Sequence, residues 1–248
     1  MFLSYQGTLL PAAMDPIEPE LLSRGFAFRP GAAVQEWLEP GRTDWARFAA
    51  SWNDLGEDRY MADGGRYRRR RYAVFDVTRD GVVRAPHQPH FQAKTYNRLN
   101  GDLDRWFDPV TPEIGDDLIV RTLIERLASI FANLPAAEAS AAGWHVELHQ
   151  FRIEASAGAA GLPTPEGIHR DGVDGAFVML VSRENVSSGV TQIFNPEGAP
   201  LGEFTLSDAG DAVFLDDARV FHGVTPIAPL DPQRLAIRDV LVITFTKA

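Results

Sequence analysis

The chain has 248 residues, a formal net charge of −10 at pH 7 and no cysteine. A chain of this length can form one β-rich domain with a full hydrophobic core, and we predict a single domain over residues 1–248. The absence of cysteine excludes disulfides, thiolate metal sites and cysteine nucleophiles. The acidic charge argues against a nucleic-acid partner, whose phosphates would be repelled.

The N-terminal sequence Met-Phe-Leu-Ser-Tyr-Gln-Gly has no basic segment followed by a long apolar stretch. We therefore do not expect a secretory signal. No apolar run approaches the ~18 residues that a membrane-spanning helix needs. These observations predict a cytoplasmic protein without a membrane partner.

Residues 1–75 form an N-terminal segment with mixed patterns. Apolar residues at helical spacing predict a helix over 44–52. Strands are predicted at 71–77, which precedes an Arg-Asp-Gly turn, and at 90–96. We interpret the basic run formed by Arg66 and residues 68–71 as the solvent-exposed entry to the first of these strands.

The clearest helix is predicted over 116–134, where apolar residues form one stripe at the 3.6-residue period. Thr111, Asp116 and Asp117 favour its start, and Pro135 follows its last turn. The stripe consists of Ile119, Val120, Leu123, Ile124, Leu127, Ile130, Phe131 and Leu134. We expect this helix to pack on the outside of a sheet.

Beyond an Ala- and Gly-rich loop at 136–143, helical periodicity gives way to short apolar or alternating runs separated by glycine, proline, Asn-Pro or Asp-Asp. The predicted strands are 144–153, 176–181, 190–194, 203–206, 212–215, 219–224 and 240–245. Many short strands preceded by helices predict a mainly β fold, a jelly roll backed by helices, with its core strands in 144–246.

Three residues in this region have the side chains of a mononuclear iron site. His169 and Asp171 are two residues apart, so their side chains point the same way on an extended segment. They follow a loop rich in glycine and proline, and His222 comes about three predicted strands later. Two imidazoles and one carboxylate can occupy one face of an octahedral Fe(II) and leave the other positions open.

The motif has alternatives. A His-x-Asp/Glu triplet arises easily in a chain with six histidines and 34 acidic residues, and a second triplet is formed by His145 and Glu147. That one lies inside a continuous strand pattern, and we interpret it as a core strand with one polar face. A lone histidine such as His222 can also be a core residue, but between valines this is costly unless its nitrogens are used.

An arginine at the start of the last strand is a candidate anion site. Strand alternation places Arg238 on the same face as Val240, Val242 and Thr244. A buried arginine needs an anion, and its planar fork matches a carboxylate. Arg234 is the alternative, although it lies in the preceding turn and is expected to be solvated.

At these residues the chain resembles the bacterial 2-oxoglutarate/Fe(II)-dependent dioxygenase family that includes L-isoleucine dioxygenase and BsmA-type proteins. The matching stretches are 95–107, 147–153, 163–172, 214–227 and 238–245. The resemblance implies a double-stranded β-helix, iron ligands at His169, Asp171 and His222, and 2-oxoglutarate bound by Arg238.

Characterised relatives hydroxylate free aliphatic amino acids or oxidise the sulfur of methionine. The resemblance therefore implies a dioxygenase that uses Fe(II), 2-oxoglutarate and dioxygen on a free amino acid or a related small molecule. Glu166, Tyr96 and Asn97 are candidate substrate contacts because they lie in the matching stretches, with loop structure as the alternative. A non-catalytic jelly roll that binds a metal or small molecule is the alternative function, and the complete ligand set argues against it.

Overall fold

The computed structural model describes residues 16–38, 44–135 and 143–248. The N-terminal residues considered for a secretory signal, and nearly all of the 136–143 loop, lie outside these ranges. The helices are α1 Ile17–Arg24, α2 Gly31–Trp37, α3 Trp45–Ala50, α4 Pro112–Gly115 and α5 Leu118–Phe131, with a 3-10 turn at Ser51–Asp54. No helix in the described ranges combines the length and the apolar character that crossing a membrane requires.

Twelve strands are found in the described residues. They are β1 Phe26–Arg29, β2 Arg68–Thr78, β3 Gly81–Arg84, β4 Trp144–Ala155, β5 Gly175–Glu184, β6 Val186–Ser188, β7 Val190–Phe194, β8 Pro200–Thr205, β9 Ala212–Asp216, β10 Phe221–Val224, β11 Ile227–Pro229 and β12 Ala236–Lys247. Each strand predicted after residue 143 corresponds to one of them, with ends that differ by up to a few residues.

The strands form two antiparallel sheets and one short pair. The large sheet has the order β1-β9-β5-β12-β4-β2-β3, the small sheet the order β10-β7-β8, and β11 pairs with β6. The sheets share an apolar cluster in which Ile193 of β7 packs with Ala176, Val213 and Leu215 of the large sheet. This is the predicted mainly β fold, a double-stranded β-helix backed by helices.

The main hydrophobic core lies between the helices and the outer face of the large sheet. Every residue of the predicted stripe on α5 is buried. Phe131 meets Phe245 of β12 edge to face, with ring centroids 5.2 Å apart. The predicted helix is shorter at both ends: the Asp117 side chain caps α5 by accepting the Ile119 N–H, and α5 runs from Leu118 to Phe131. This packing fixes β12, and with it the position of Arg238.

The strand predicted at 90–96 is wrong. Only His90 pairs, in an isolated bridge with Arg105. The chain then turns: Asn97 N–H donates to Ala93 O, and the Asn97 side chain accepts the N–H of Asn100. Such local hydrogen bonds compete with a strand ladder, and here they replace it.

Strand alternation divides the large sheet into a core face and a cavity face. On β12, the core face carries Leu241, Ile243 and Phe245. The opposite face borders a cavity of about 550 Å³, and Arg238, Val240, Val242 and Thr244 line it, as the alternation predicts. The cavity therefore collects the polar side chains of strands whose other face is buried in the core.

Candidate metal centre and its cavity

His169 and His222 face each other across a single backbone bridge. Each residue's N–H donates to the carbonyl of the other at 2.9 Å. Their imidazole centroids are 4.5 Å apart. His169 Nε2 lies 3.4 Å from Asp171 Oδ1, and His222 Nε2 lies 3.7 Å from Asp171 Oδ2. The three predicted ligands therefore converge on one point at the edge of the cavity.

The spacing of these atoms suits a metal ion. One donor atom from each residue lies within 4.8 Å of the others. Two atoms bound at roughly 2.1 Å and at a right angle would be about 3.0 Å apart, so small movements would close the site on a metal. A set of two imidazoles and one carboxylate with an open side fits Fe(II).

The electrostatics of the centre also favour a cation. Burial opposes charge on His169, but its hydrogen bond to Asp171 and the charges of Asp171 and Glu166 raise the pKa of His169 to about 9. Burial opposes charge on Asp171 too, yet the two histidines lower its pKa to about 2. Burial and the neighbouring His169 lower the pKa of His222 to about 4. A bound metal would replace the proton on His169.

Asp217 holds the segment that carries Asp171. Its buried carboxylate accepts the backbone N–H groups of Asp171, Gly172 and Val173 at 2.9, 2.8 and 3.2 Å. Burial and the charge of Asp171 raise the pKa of Asp217 to about 6. Gly172 has φ +83°, and a Cβ there would lie 2.4 Å from the Tyr96 ring, so this tight turn requires glycine.

Arg238 is buried, with 2% of its surface exposed, and lines the same cavity as the three candidate ligands. Within the described ranges, its Nε and Nη2 have no hydrogen-bond partner. Burial and the nearby Arg183 lower its pKa to about 10. Arg234, the alternative, is exposed and does not line the cavity. Arg238 thus presents a buried fork of donors that suits a carboxylate.

The three candidate substrate contacts all line the cavity but differ in their freedom to bind a ligand. Glu166 has one buried carboxylate oxygen, Oε2, that has no hydrogen-bond partner in the described part of the chain. The Asn97 amide is engaged, because it donates to Gln92 and accepts from Asn100. Tyr96 covers Gly172 and is 37% exposed. Loop structure therefore accounts for Asn97, whereas Glu166 retains an acceptor directed into the protein.

The interpretation of the basic run as a solvent-exposed strand entry is wrong for two of its members. Arg68 and Arg70 are buried and line the cavity. Arg66 is exposed, and Arg69 and Arg71 are partly exposed. The reason is strand alternation, because β2 turns every second side chain toward the cavity. The same argument that selects Arg238 on β12 would have identified both.

A second group with metal-binding geometry faces the cavity, formed by His90, Glu147 and His149. The strand interpretation of the second triplet holds, since Val146 and Leu148 are in the core and Glu147 is on the polar face. The Tyr72 hydroxyl donates to Glu147 Oε1 at 2.5 Å, and His90 Nδ1 lies 3.0 Å from the same oxygen.

These contacts argue against a second metal. Arg70 donates to Nδ1 of His149 at 2.7 Å. Burial and the neighbouring arginines hold the pKa of His149 well below its usual range, so its ring is neutral. A neutral imidazole has one lone pair, and Arg70 already uses it. His90, Glu147 and His149 are therefore a hydrogen-bonded wall of the cavity.

Comparison with known proteins agrees with this geometry. A family model described as 2OG-Fe dioxygenase matches residues 49–244. A crystal structure of a BsmA homologue from Methylobium petroleophilum PM1 is 34% identical, with a TM-score of 0.85 over 97% of this chain and 95% of that one. IDO from Bacillus thuringiensis is 18% identical and shares the fold, with a TM-score of 0.76 over 92% of both chains.

A curated relative, 3(1)-hydroxy-L-isoleucine 4-dioxygenase from Pantoea ananatis (strain AJ13355), is 25% identical over 164 residues. The match spans 64% of this chain and 64% of the relative's length. The family model, by contrast, covers most of the chain, including all three candidate ligands and Arg238. The chain therefore belongs to the 2OG-Fe dioxygenase family.

Proposed function

We propose that this protein is an Fe(II)- and 2-oxoglutarate-dependent dioxygenase that hydroxylates a free aliphatic amino acid. One observation carries the proposal: two imidazoles, one carboxylate and a buried arginine with free donors border one cavity. The family uses Fe(II), 2-oxoglutarate and dioxygen. The three candidate ligands suit the metal, and Arg238 suits a carboxylate of 2-oxoglutarate.

The proposal gives each residue a role. His169, Asp171 and His222 hold Fe(II), and Arg238 pairs with the distal carboxylate of 2-oxoglutarate. When bound, the metal, 2-oxoglutarate and dioxygen would supply the oxidation. In this reaction 2-oxoglutarate becomes succinate and CO₂, one oxygen atom of dioxygen enters succinate, and the other enters the substrate. The protein positions these reactants and excludes water from the buried end of the cavity.

The size and lining of the cavity support a small substrate. A volume of about 550 Å³ lies in the range typical of small-molecule sites. Part of the wall is apolar and can pack against an aliphatic side chain; it includes Phe151, Val178, Val213, Leu215 and Val240. The free oxygen of Glu166 suits an ammonium group. The Pantoea ananatis relative is named for its action on 3(1)-hydroxy-L-isoleucine, which supports the same substrate class.

A panel of free amino acids tests the proposal. The protein is incubated with Fe(II), 2-oxoglutarate and air, succinate is quantified, and each amino acid is examined by mass spectrometry for the gain of one oxygen. We expect succinate to form with an aliphatic amino acid that gains oxygen. Methionine belongs in the panel because sulfur oxidation is the alternative reaction of the resembling family.

His222→Ala and His87→Ala are the matched variants. His87 is exposed and does not line the cavity, so its replacement should leave turnover intact. Succinate formation that no amino acid stimulates would refute the substrate class and leave the dioxygenase chemistry standing. An absence of 2-oxoglutarate turnover under every condition would refute both.

A further inference from the structure

A second set of arginines lies in the same cavity as the metal centre. Arg68 and Arg70 belong to β2, and Arg105 follows the loop that His90 begins. Their exposed fractions are 6%, 3% and 2%, and all three line the cavity. The roles proposed above for the metal and for 2-oxoglutarate use none of them. We call these three residues the arginine cluster.

Two members of the arginine cluster are held by protein groups. Arg68 Nε donates to Asp58 at 2.7 Å, and Arg70 Nη1 lies 3.7 Å from the same carboxylate. The Arg70 guanidinium also lies over the Phe107 ring, 3.5 Å from its centroid. These contacts fix both side chains before any ligand arrives. Even so, Nε of Arg70 is buried without a partner.

Arg105 is fixed through its backbone but not through its side chain. It exchanges two backbone hydrogen bonds of 3.0 Å with His90. Its Nε and Nη2 are buried and have no acceptor among the residues that the structure describes. Burial and the charge of Arg68 lower the pKa of Arg105, partly offset by Asp58 and Glu147. Buried N–H donors of a cation are costly when unpaired, so these donors suit an anionic ligand.

The charges around the arginine cluster are balanced by nearby carboxylates. The cluster has three guanidinium groups; Asp58 pairs with Arg68, and the charges of Glu147 and Glu166 also act on Arg105. Burial lowers the pKa of both His90 and His149, so neither adds a positive charge at neutral pH. The positive and negative charges are therefore equal in number, and an amino acid with one carboxylate and one ammonium would add no net charge to the cavity.

The position of Glu166 supports an amino acid as the ligand. Glu166 Oε1 lies 3.4 Å from His169 Nε2 at the metal centre, and Glu166 lines the same cavity as Arg105. An α-amino acid carries an ammonium beside its carboxylate, and Glu166 Oε2 is a free acceptor for it. Arg238 remains for 2-oxoglutarate, so the two buried anion sites match the two organic reactants.

We infer that Arg105, with Nε of Arg70 beside it, binds the α-carboxylate of the amino-acid substrate. The inference rests on the proposed function in that the substrate is a free amino acid. It makes Arg105 a substrate-binding residue and selects α-amino acids against amines and amides of the same side chain. A guanidinium paired with a buried carboxylate provides this discrimination, because an amide cannot offer two charged oxygens to the fork.

Binding measurements without turnover test the inference directly. The Fe(II) protein with 2-oxoglutarate is titrated without oxygen with L-valine, L-leucine, L-isoleucine and L-methionine, and with the carboxamide of each. We expect the wild type to bind at least one acid roughly 10- to 100-fold more tightly than its carboxamide. In Arg105→Gln the ratio of the affinity for the acid to the affinity for its carboxamide should fall to about one. In Arg105→Lys, which keeps the charge but not the planar fork, the ratio should be intermediate.

Arg98→Gln is the matched control. Arg98 lies in the same segment, is exposed and does not line the cavity, so its loss should leave the ratio unchanged. Arg105→Gln should also leave the affinities for Fe(II) and 2-oxoglutarate unchanged. The inference would be overturned if the wild type did not prefer the acids, or if Arg105→Gln had the same affinity ratio of acid to carboxamide as the wild type. It would also be overturned if Arg105→Gln lost affinity for 2-oxoglutarate instead of for the amino acid.

Turnover measurements separate this inference from the proposed function. If an amino acid is oxidised and Arg105→Gln has the wild-type preference for acid over amide in kcat/KM, the inference fails and the function stands. If the acids bind through Arg105 but none is oxidised, the carboxylate site stands and the proposed reaction fails.

Discussion

His169 and His222 lie on different segments and meet through one backbone bridge, which presents both imidazoles to the Asp171 carboxylate. The Asp171 carboxylate is therefore shared between two histidines, one of which holds a proton where a metal would bind. Arg238 has no such partner. The three candidate metal ligands therefore suit a bound cation, and Arg238 suits a bound anion.

The first prediction concerns the ligands. Asp171→Ala and His222→Ala each remove one of three donors, so Fe(II) affinity should fall by more than the roughly 10- to 100-fold that loss of a residue supporting a ligand costs. Anaerobic titration with Fe(II) measures this, with His87→Ala as the control. Wild-type affinity in either cavity variant would contradict the assignment.

The second prediction concerns Arg238. Lysine cannot form the planar fork, so Arg238→Lys should weaken 2-oxoglutarate binding roughly 10- to 100-fold and leave Fe(II) affinity nearly unchanged. Equilibrium binding of 2-oxoglutarate to the Fe(II) protein without oxygen measures this. Arg234→Lys is the matched control at an exposed position. A larger effect at Arg234 would reverse the assignment of the two arginines.

At the scale of elements, His169 and Asp171 lie on a segment between strands, whereas His222 lies on β10. Arg68 and Arg70 lie on β2, and Arg238 lies on β12. The segment after His169 is irregular, and Asp217 replaces a strand ladder by accepting three successive N–H groups. On β2 and β12, alternation alone directs arginines into the cavity. The position of the Asp171 ligand thus depends on the buried carboxylate of Asp217. The direction of the arginines on β2 and β12 depends instead on how the sheet packs.

The third prediction tests this role of Asp217. In Asp217→Asn a neutral amide with one acceptor oxygen replaces the carboxylate that accepts the three N–H groups. We therefore expect Fe(II) affinity to fall roughly 10- to 100-fold, although Asp217 is not a ligand. Asp211→Asn is the matched control, because Asp211 is buried and also accepts three backbone N–H groups, from Gly31, Ser207 and Asp208. Both variants should lose stability, but only Asp217→Asn should lose metal. Equal metal affinity in the two variants would refute a positioning role.

At the scale of the whole molecule, one face of the large sheet builds the core and the other builds the cavity. The cavity face buries several charged groups, and their mutual pairing must compensate for lost hydration. Asp58 is the clearest case, at 2% exposure beside two arginines. The single domain over 1–248 and the cytoplasmic location stay predictions.

The fourth prediction follows from Asp58. Burial would raise its pKa, but Arg68 and Arg70 outweigh burial and lower it. Because the pKa of Asp58 is lower in the folded state than in the unfolded state, its charge stabilises the fold at pH values above the unfolded pKa, near 4. This stabilisation is lost as the pH falls through the folded pKa. Asp58→Asn should cost about 3–5 kcal/mol at pH 7. Urea unfolding of the wild type and of Asp58→Asn measures the difference between their free energies of unfolding. This difference should become smaller below about pH 4, and a difference that does not change with pH would refute the role of the Asp58 charge.

Much of the fold and of the candidate site could be predicted from local pattern. The stripe on α5, the strands after residue 143 and the facing of Arg238 follow from periods of 3.6 and 2, which depend only on neighbours in the chain. The triad could be proposed because iron chemistry requires those residue types. The strand at 90–96 was predicted wrongly because the Asn97 and Asn100 turn replaces the ladder.

What the sequence by itself determined, then, is which faces are apolar, which residues can ligate a metal and which arginine the last strand turns inward. Only the tertiary structure decided that Arg68, Arg70 and Arg105 share the metal's cavity, and that Arg70 occupies the lone pair of His149. The physical reason is that burial and hydrogen-bond partners come from residues distant in the chain. Whether a guanidinium is solvated, paired or left for a ligand depends on what the fold places against it.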